Sequence, residues 1–199
     1  MIRAHTAAEV VVEGERWPVF VWTIDHPSGR VLVDTGMIDS TPELDREWGP
    51  IPHPESIPRD VVCVINTHLH FDHCGGNRLF PGVPIHVQSR ELADARSLDD
   101  YTVRKWVDFD GATYVEHDGE AEVLPGIRLL PAPGHTAGHQ IVVVETPDGA
   151  NVLAGDVGYS FRELGRGETE GQRRVLDIGA LTWLAHEREP KVPEYRPAQ

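Results

Sequence analysis

The segment His68-Leu69-His70-Phe71-Asp72-His73 places four metal-ligand side chains within six residues. In an extended chain, positions two apart point the same way, so His68 and His70 can share one metal ion. Asp72 and His73 lie on the tightening turn beyond and can face a second ion. Neutral imidazoles and carboxylates suit Zn, and also Mn or Fe. Two further segments carry ligand types in similar settings. Pro133-Gly134-His135-Thr136-Ala137-Gly138-His139 is a loop flanked by apolar runs, and Val152-Leu153-Ala154 runs into Gly155-Asp156. A Gly-His or Gly-Asp turn alone is weak. Beside the first cluster, the joint pattern points to a centre built from several strand ends.

The elements around these residues fit that placement. Val61–Ile65 is continuously apolar and mostly β-branched, which predicts a strand buried on both faces that ends at the histidine cluster. Residues 19–24 and 31–34 predict a hairpin across Asp25–Arg30. The stretch 38–58 reads as loop with one helical turn near Pro42–Trp48. Short strands are expected at Ile85–Val87, Thr113–Glu116, Ile127–Leu130, Ile141–Val144 and Asn151–Ala154. Helix is expected over Glu91–Trp106 and Gln172–Glu189. The second helix would carry Val175, Ile178, Leu181, Leu184 and Ala185 on one face.

With these residues in view, the chain resembles the metallo-β-lactamase-fold hydrolases, from Asp34-Thr35-Gly36 to Gly155-Asp156. The resemblance implies an α/β fold, a four-layer αββα sandwich with a two-metal site at one sheet edge, within one domain over 1–199. It implies that His68, His70 and His135 hold one ion. Asp72, His73 and a later histidine hold the other, and Asp156 bridges the two. The ions would be zinc by first expectation. Among these hydrolases the chain is most similar to the N-acyl homoserine lactone hydrolases, the quorum-quenching lactonases. The shared features are Phe71 inside the motif, Cys74-Gly75-Gly76-Asn77 after it, Asp34–Met37, Pro84–Gln88, and Tyr159 three residues past Asp156. That resemblance implies a hydroxide on the metals attacking a lactone carbonyl. Tyr159 would donate to the carbonyl oxygen and Asp72 would carry a proton to the leaving group. Met37 and Phe71 would wall an acyl pocket.

One departure qualifies the resemblance. The family's last ligand is a histidine after the final helix and a further short strand. Here the only later histidine is His186, inside the expected helix. Either the chain continues beyond Gln199 or the second site is short of one ligand. A glyoxalase II-like thioesterase, a β-lactamase, a mononuclear iron persulfide dioxygenase-like enzyme and a degenerate metal-binding protein therefore remain alternatives.

Composition bounds the partners. A net charge of −14, with lysine only at positions 105 and 191, argues against nucleic acid and anionic membrane surfaces. The expected partner is a small-molecule substrate, and a homodimer is compatible with it. No apolar signal core or membrane span appears, and Cys63 and Cys74 read as free thiols, so the cytoplasm is the default location. Asp34 reads as either a turn former or a carboxylate orienting a ligand. His139 reads as satisfying a backbone bond. His5, His26, His53, His86 and His117 read as solvated or core histidines.

Overall fold

The computed structural model describes residues 1–196. The first sheet contains β1 (Ile2–Val12), β2 (Glu15–His26), β3 (Gly29–Val33), β4 (Ile51–Pro52), β5 (Cys63–Ile65), β6 (Pro84–Gln88) and β7 (Thr113–His117). They lie in the order β4-β1-β2-β3-β5-β6-β7. The second contains β8 (Ala121–Leu124), β9 (Ile127–Pro131), β10 (Gln140–Thr146), β11 (Gly149–Leu153) and β12 (Leu181–Trp183), in the order β12-β11-β10-β9-β8. The helices are α1 (Pro42–Glu47), α2 (Phe71–Cys74), α3 (Ser89–Ser97), α4 (Arg104–Val107), α5 (Phe161–Leu164) and α6 (Glu170–Ile178).

Alternation along the strands assigns each side chain to a layer. Phe20, Trp22, Val31, Val33, Cys63 and Ile65 meet Ile127, Leu129, Val142, Val144 and Leu153 between the two sheets. Their neighbours Val21, Leu32 and Val64 face the opposite way, onto Ile57 and Phe80. On the far side of the second sheet, Ile141, Val143 and Val152 pack against Leu164 of α5 and Val175 of α6. Leu92 and Ala95 of α3 cover Val87 and Leu69 outside the first sheet. These layers form the expected αββα sandwich, and the strand after the hairpin is buried on both faces. No helix among the described residues is long and apolar enough to cross a membrane.

Several expected boundaries are corrected. The helix expected over Glu91–Trp106 is two helices, α3 and α4, with an irregular segment between them. β1 and β8 are strands that composition did not announce. The largest correction concerns Gln172–Glu189. Thr169 caps α6 with a capping box, and the helix stops at Ile178 because Gly179 adopts a left-handed φ of 61°. Leu181–Trp183 then pairs parallel with β11 instead of continuing the helix. His186 thus follows a strand and is not part of a helix.

Candidate metal centre

Five strand ends deliver the candidate residues to one edge of the sandwich. His68 and His70 follow β5, and Asp72 and His73 sit on α2. His135 lies between β9 and β10, Asp156 follows β11, and His186 follows β12. Three groups of donor atoms come within 4.8 Å of one another: His68, His70 and His135; His68, His73 and Asp156; and Asp72, His73 and His186. The first and third groups are linked by Asp156. Its Oδ2 lies 3.3 Å from His186 Nε2 and 3.6 Å from His135 Nε2, while its Oδ1 lies 3.3 Å from His73 Nε2.

The surrounding side chains decide which nitrogen each imidazole turns inward. Asp34 stands at φ 57°, a left-handed conformation costing about 1–2 kcal/mol for a residue with a Cβ. There its carboxylate accepts from Thr67 N at 2.8 Å, Thr67 Oγ1 at 2.8 Å and His73 Nδ1 at 2.9 Å. With the Thr67 hydroxyl committed to Asp34, His68 Nδ1–H donates to Thr67 Oγ1 at 3.1 Å. One carboxylate therefore orients two imidazoles, His73 directly and His68 through Thr67. His186 Nδ1 donates to the Pro18 carbonyl at 2.8 Å, which leaves Nε2 facing Asp156. His139 accepts the Asp156 backbone N–H at 3.3 Å, so it satisfies a backbone bond as expected.

The residues fit bound cations on an observation independent of any family. His68 Nε2, His73 Nε2 and Asp156 Oδ1 are buried and have no hydrogen-bond partner, yet all three face the same space. Buried polar atoms without partners are costly unless something satisfies them. His135 Nε2 stands 2.9 Å from His70 Nδ1, so a proton or a cation must lie between the two lone pairs. Electrostatics divides the groups. Burial and the neighbouring imidazoles hold His68 well below the usual histidine range, and burial and His135 push His70 down to about 4. Burial lowers His135 as well. These rings stay neutral, the form that binds metal. For His73, burial is outweighed by Asp156, Asp72 and Asp34, which raise it well above the usual range. His186 is raised against burial by Asp156. The second group thus attracts positive charge.

His186 corrects the expected deficit. It stands with Asp72 and His73 where a final histidine was thought absent, and neither a longer chain nor a vacant ligand position is needed to complete the group. The signal for it was Gly179, a helix terminator ahead of the strand-type segment Leu-Thr-Trp. Met37 is also corrected. It is fully buried beside Val19 and Trp106 and walls no cavity at the centre. Phe71 does line one, a cavity of about 190 Å³ bounded by Val10, Val12, Trp17, Trp48, His135, Tyr159 and His186. Trp17 and Trp48 had not been assigned to it. Tyr159 stands at its wall, with its hydroxyl 3.4 Å from His135 Nδ1. Cys74 points away, donating to the Leu69 carbonyl, and both cysteines are free and buried. His86 and His117, far apart in sequence, meet at 2.9 Å.

Comparison with known proteins agrees with this arrangement. Residues 14–184 match the model of the metallo-β-lactamase superfamily. An N-acyl homoserine lactonase from Bacillus sp is 34% identical over 156 residues, covering 68% of this chain and 62% of that protein. The matched region thus spans about 62% of the length of that relative. Among solved structures, a quorum-quenching N-acyl homoserine lactone lactonase superposes with a TM-score of 0.78 at 26% identity, covering 98% of this chain and 97% of the other. A dizinc quorum-quenching lactonase shares the fold at a TM-score of 0.67 and 15% identity, covering 93% of this chain and 81% of the other.

Proposed function

The chain belongs to the metallo-β-lactamase superfamily, and from that premise we propose that it is a two-metal hydrolase opening the ring of an N-acyl homoserine lactone. His68, His70 and His135 would hold one ion, Asp72, His73 and His186 the other, and Asp156 both. Zinc is the ion the donor set favours. Two such ions, when bound, supply Lewis acidity at a carbonyl and lower the pKa of water toward 7. The similarity to the Bacillus lactonase supports the substrate class.

The observation that carries the reading is the position of Tyr159. His135 turns Nε2 toward the centre, so its Nδ1–H donates to the Tyr159 oxygen and leaves the phenol proton free for substrate. Burial, then Asp156 and Asp72, push the phenol above its usual range, which keeps it a donor at neutral pH. A donor fixed where negative charge develops on a carbonyl oxygen stabilises the transition state more than the ground state. Asp72 is the one ligand carboxylate that also borders the cavity beside Phe71, placed to take a proton from attacking water and return it to the ring oxygen as the ester bond breaks. Val10, Val12, Trp17, Trp48 and Phe71 give the acyl chain an apolar wall. Opening such lactones would make the protein a quorum-quenching enzyme.

The test is turnover of N-hexanoyl homoserine lactone, followed by the acid released on ring opening, beside nitrocefin and a glutathione thioester. Lactone opening that exceeds the other two supports the reading. Turnover of the thioester or β-lactam alone would replace it. The argument for a mononuclear oxygenase rested on a missing last histidine, and His186 removes that argument.

A further inference from the structure

Glu91 is a buried carboxylate for which the proposed chemistry has no use. It lies in the first turn of α3, fully buried, and its neighbour Arg90 pairs with Asp94 instead. Its partners are three donors from three separate segments. Oε1 accepts the Leu69 backbone N–H at 2.8 Å and the Tyr101 hydroxyl, and Oε2 accepts the Thr136 hydroxyl at 2.7 Å. Leu69 lies between His68 and His70. Thr136 follows His135. The Tyr101 ring stands 5.0 Å from the His70 ring. Every histidine of the first group is therefore adjacent in sequence, or in ring contact, to a group that Glu91 holds. The second loop also rests on the Glu91 backbone, because a Cβ at Gly138 would stand 2.2 Å from Glu91 N.

We propose that Glu91 is a positioning residue, one carboxylate that fixes the His68–His70 segment against the His135 loop and so sets the metal affinity of that group. The proposal rests on the reading that these three histidines hold an ion. Carboxylate oxygens suit the site because all three partners donate and none accepts. Alanine would leave the Leu69 N–H and Thr136 hydroxyl without partners in the interior. Glutamine would keep an oxygen for Leu69, and its amide would meet Thr136, whose hydroxyl can turn and accept.

The experiment titrates zinc into metal-free protein against a competing chelator, with the visible spectrum of the cobalt-loaded protein as a second readout. Glu91→Ala is expected to weaken the first site about 10–100-fold, the usual cost of losing support behind a ligand, and to alter the cobalt spectrum. Glu91→Gln is expected to restore most of the affinity. If Glu91→Ala does not fold, Thr136→Val and Tyr101→Phe each remove one donor and should weaken binding in the same direction. A variant that lowers the melting temperature of the metal-free protein yet binds zinc as wild type does would reduce Glu91 to a structural fastener and overturn the proposal. So would a glutamine variant as impaired as the alanine one. His70→Ala is the control. Zinc retained there brings down the metal assignment itself, whereas zinc lost there with no effect at Glu91 overturns this proposal alone.

Discussion

Two histidine pairs in this molecule have the same spacing and opposite characters. His70 and His135 approach to 2.9 Å, and so do His86 and His117. The first two rings cross at 81°, which points their nitrogens at a common space. The second two lie nearly parallel, 11° apart, across β6 and β7. Asp156 stands 3.6 Å from His135, and the nearby nitrogens of His68 and His73 have no partner. Among the described residues, no third ligand joins His86 and His117 in a metal-holding group. Proximity of imidazoles is thus not what distinguishes a metal centre. Crossed rings, carboxylates among them and nitrogens left without protein partners do.

The largest effect should separate the pairs by metal content. His70→Ala is expected to lose the first ion and to lower lactone turnover by more than about 100-fold, since residues merely supporting a ligand already cost 10–100-fold. His117→Ala should keep both ions and turnover near wild type. Elemental analysis with a lactone assay checks both, and equal metal loss in the two variants would erase the distinction.

A smaller effect should appear at Tyr159, which contacts the first pair without being a ligand. Tyr159→Phe keeps the ring and removes the hydroxyl. We expect kcat to fall about 10²–10³-fold, or nearer tenfold if bound ions share the oxyanion, with metal content unchanged. A variant that matches wild type in kcat and KM would remove Tyr159 from the reaction.

The smallest effect belongs to the second pair. Burial, then His117, pushes His86 down to about 4, below the ordinary value of 6.5 that applies when the chain is unfolded. Between these values the unfolded chain binds the extra proton. The pair's contribution to stability is therefore complete above pH 6.5 and is lost as pH falls toward 4. Solvent around this half-exposed pair reduces the effect to about 1 kcal/mol, or about 2–4 °C in melting temperature. Metal-free His86→Gln should show a shallower fall in melting temperature across that window than metal-free wild type. Identical slopes would show that His86 does not carry this dependence.

Which parts were legible follows from how local each signal was. The run Val61–Ile65, the hairpin and the spacing of His68 to His73 are short-range patterns, and they read correctly. Asp156 and His135 were legible because each ends or follows an apolar strand. His186 was not, because Leu181, Leu184 and Ala185 repeat with the spacing of a helix face, and Gly179 was given less weight than that periodicity. Glu91 gave no sign at all. A glutamate in the first turn of a helix reads as solvated, and only the tertiary fold brings Leu69, Tyr101 and Thr136 to it. Trp17 and Trp48 likewise reach the cavity through contacts between distant segments.

The placement of His186 also has a consequence in time. Its neighbour Ala185 is bonded both to Gly155 and to Phe20, and its own ring is bonded to Pro18, so its position depends on strands from both ends of the chain. β12 cannot dock before β11 exists to receive it. During synthesis at ~5–20 residues per second, the interval between His70 and His186 lasts on the order of ten seconds. Throughout it the nascent chain displays imidazoles that no finished centre yet organises. Closing long loops before their contacts form is the slow part of folding. The centre is therefore assembled late as a product of sheet closure, and it cannot serve as the local nucleus around which the sheets form.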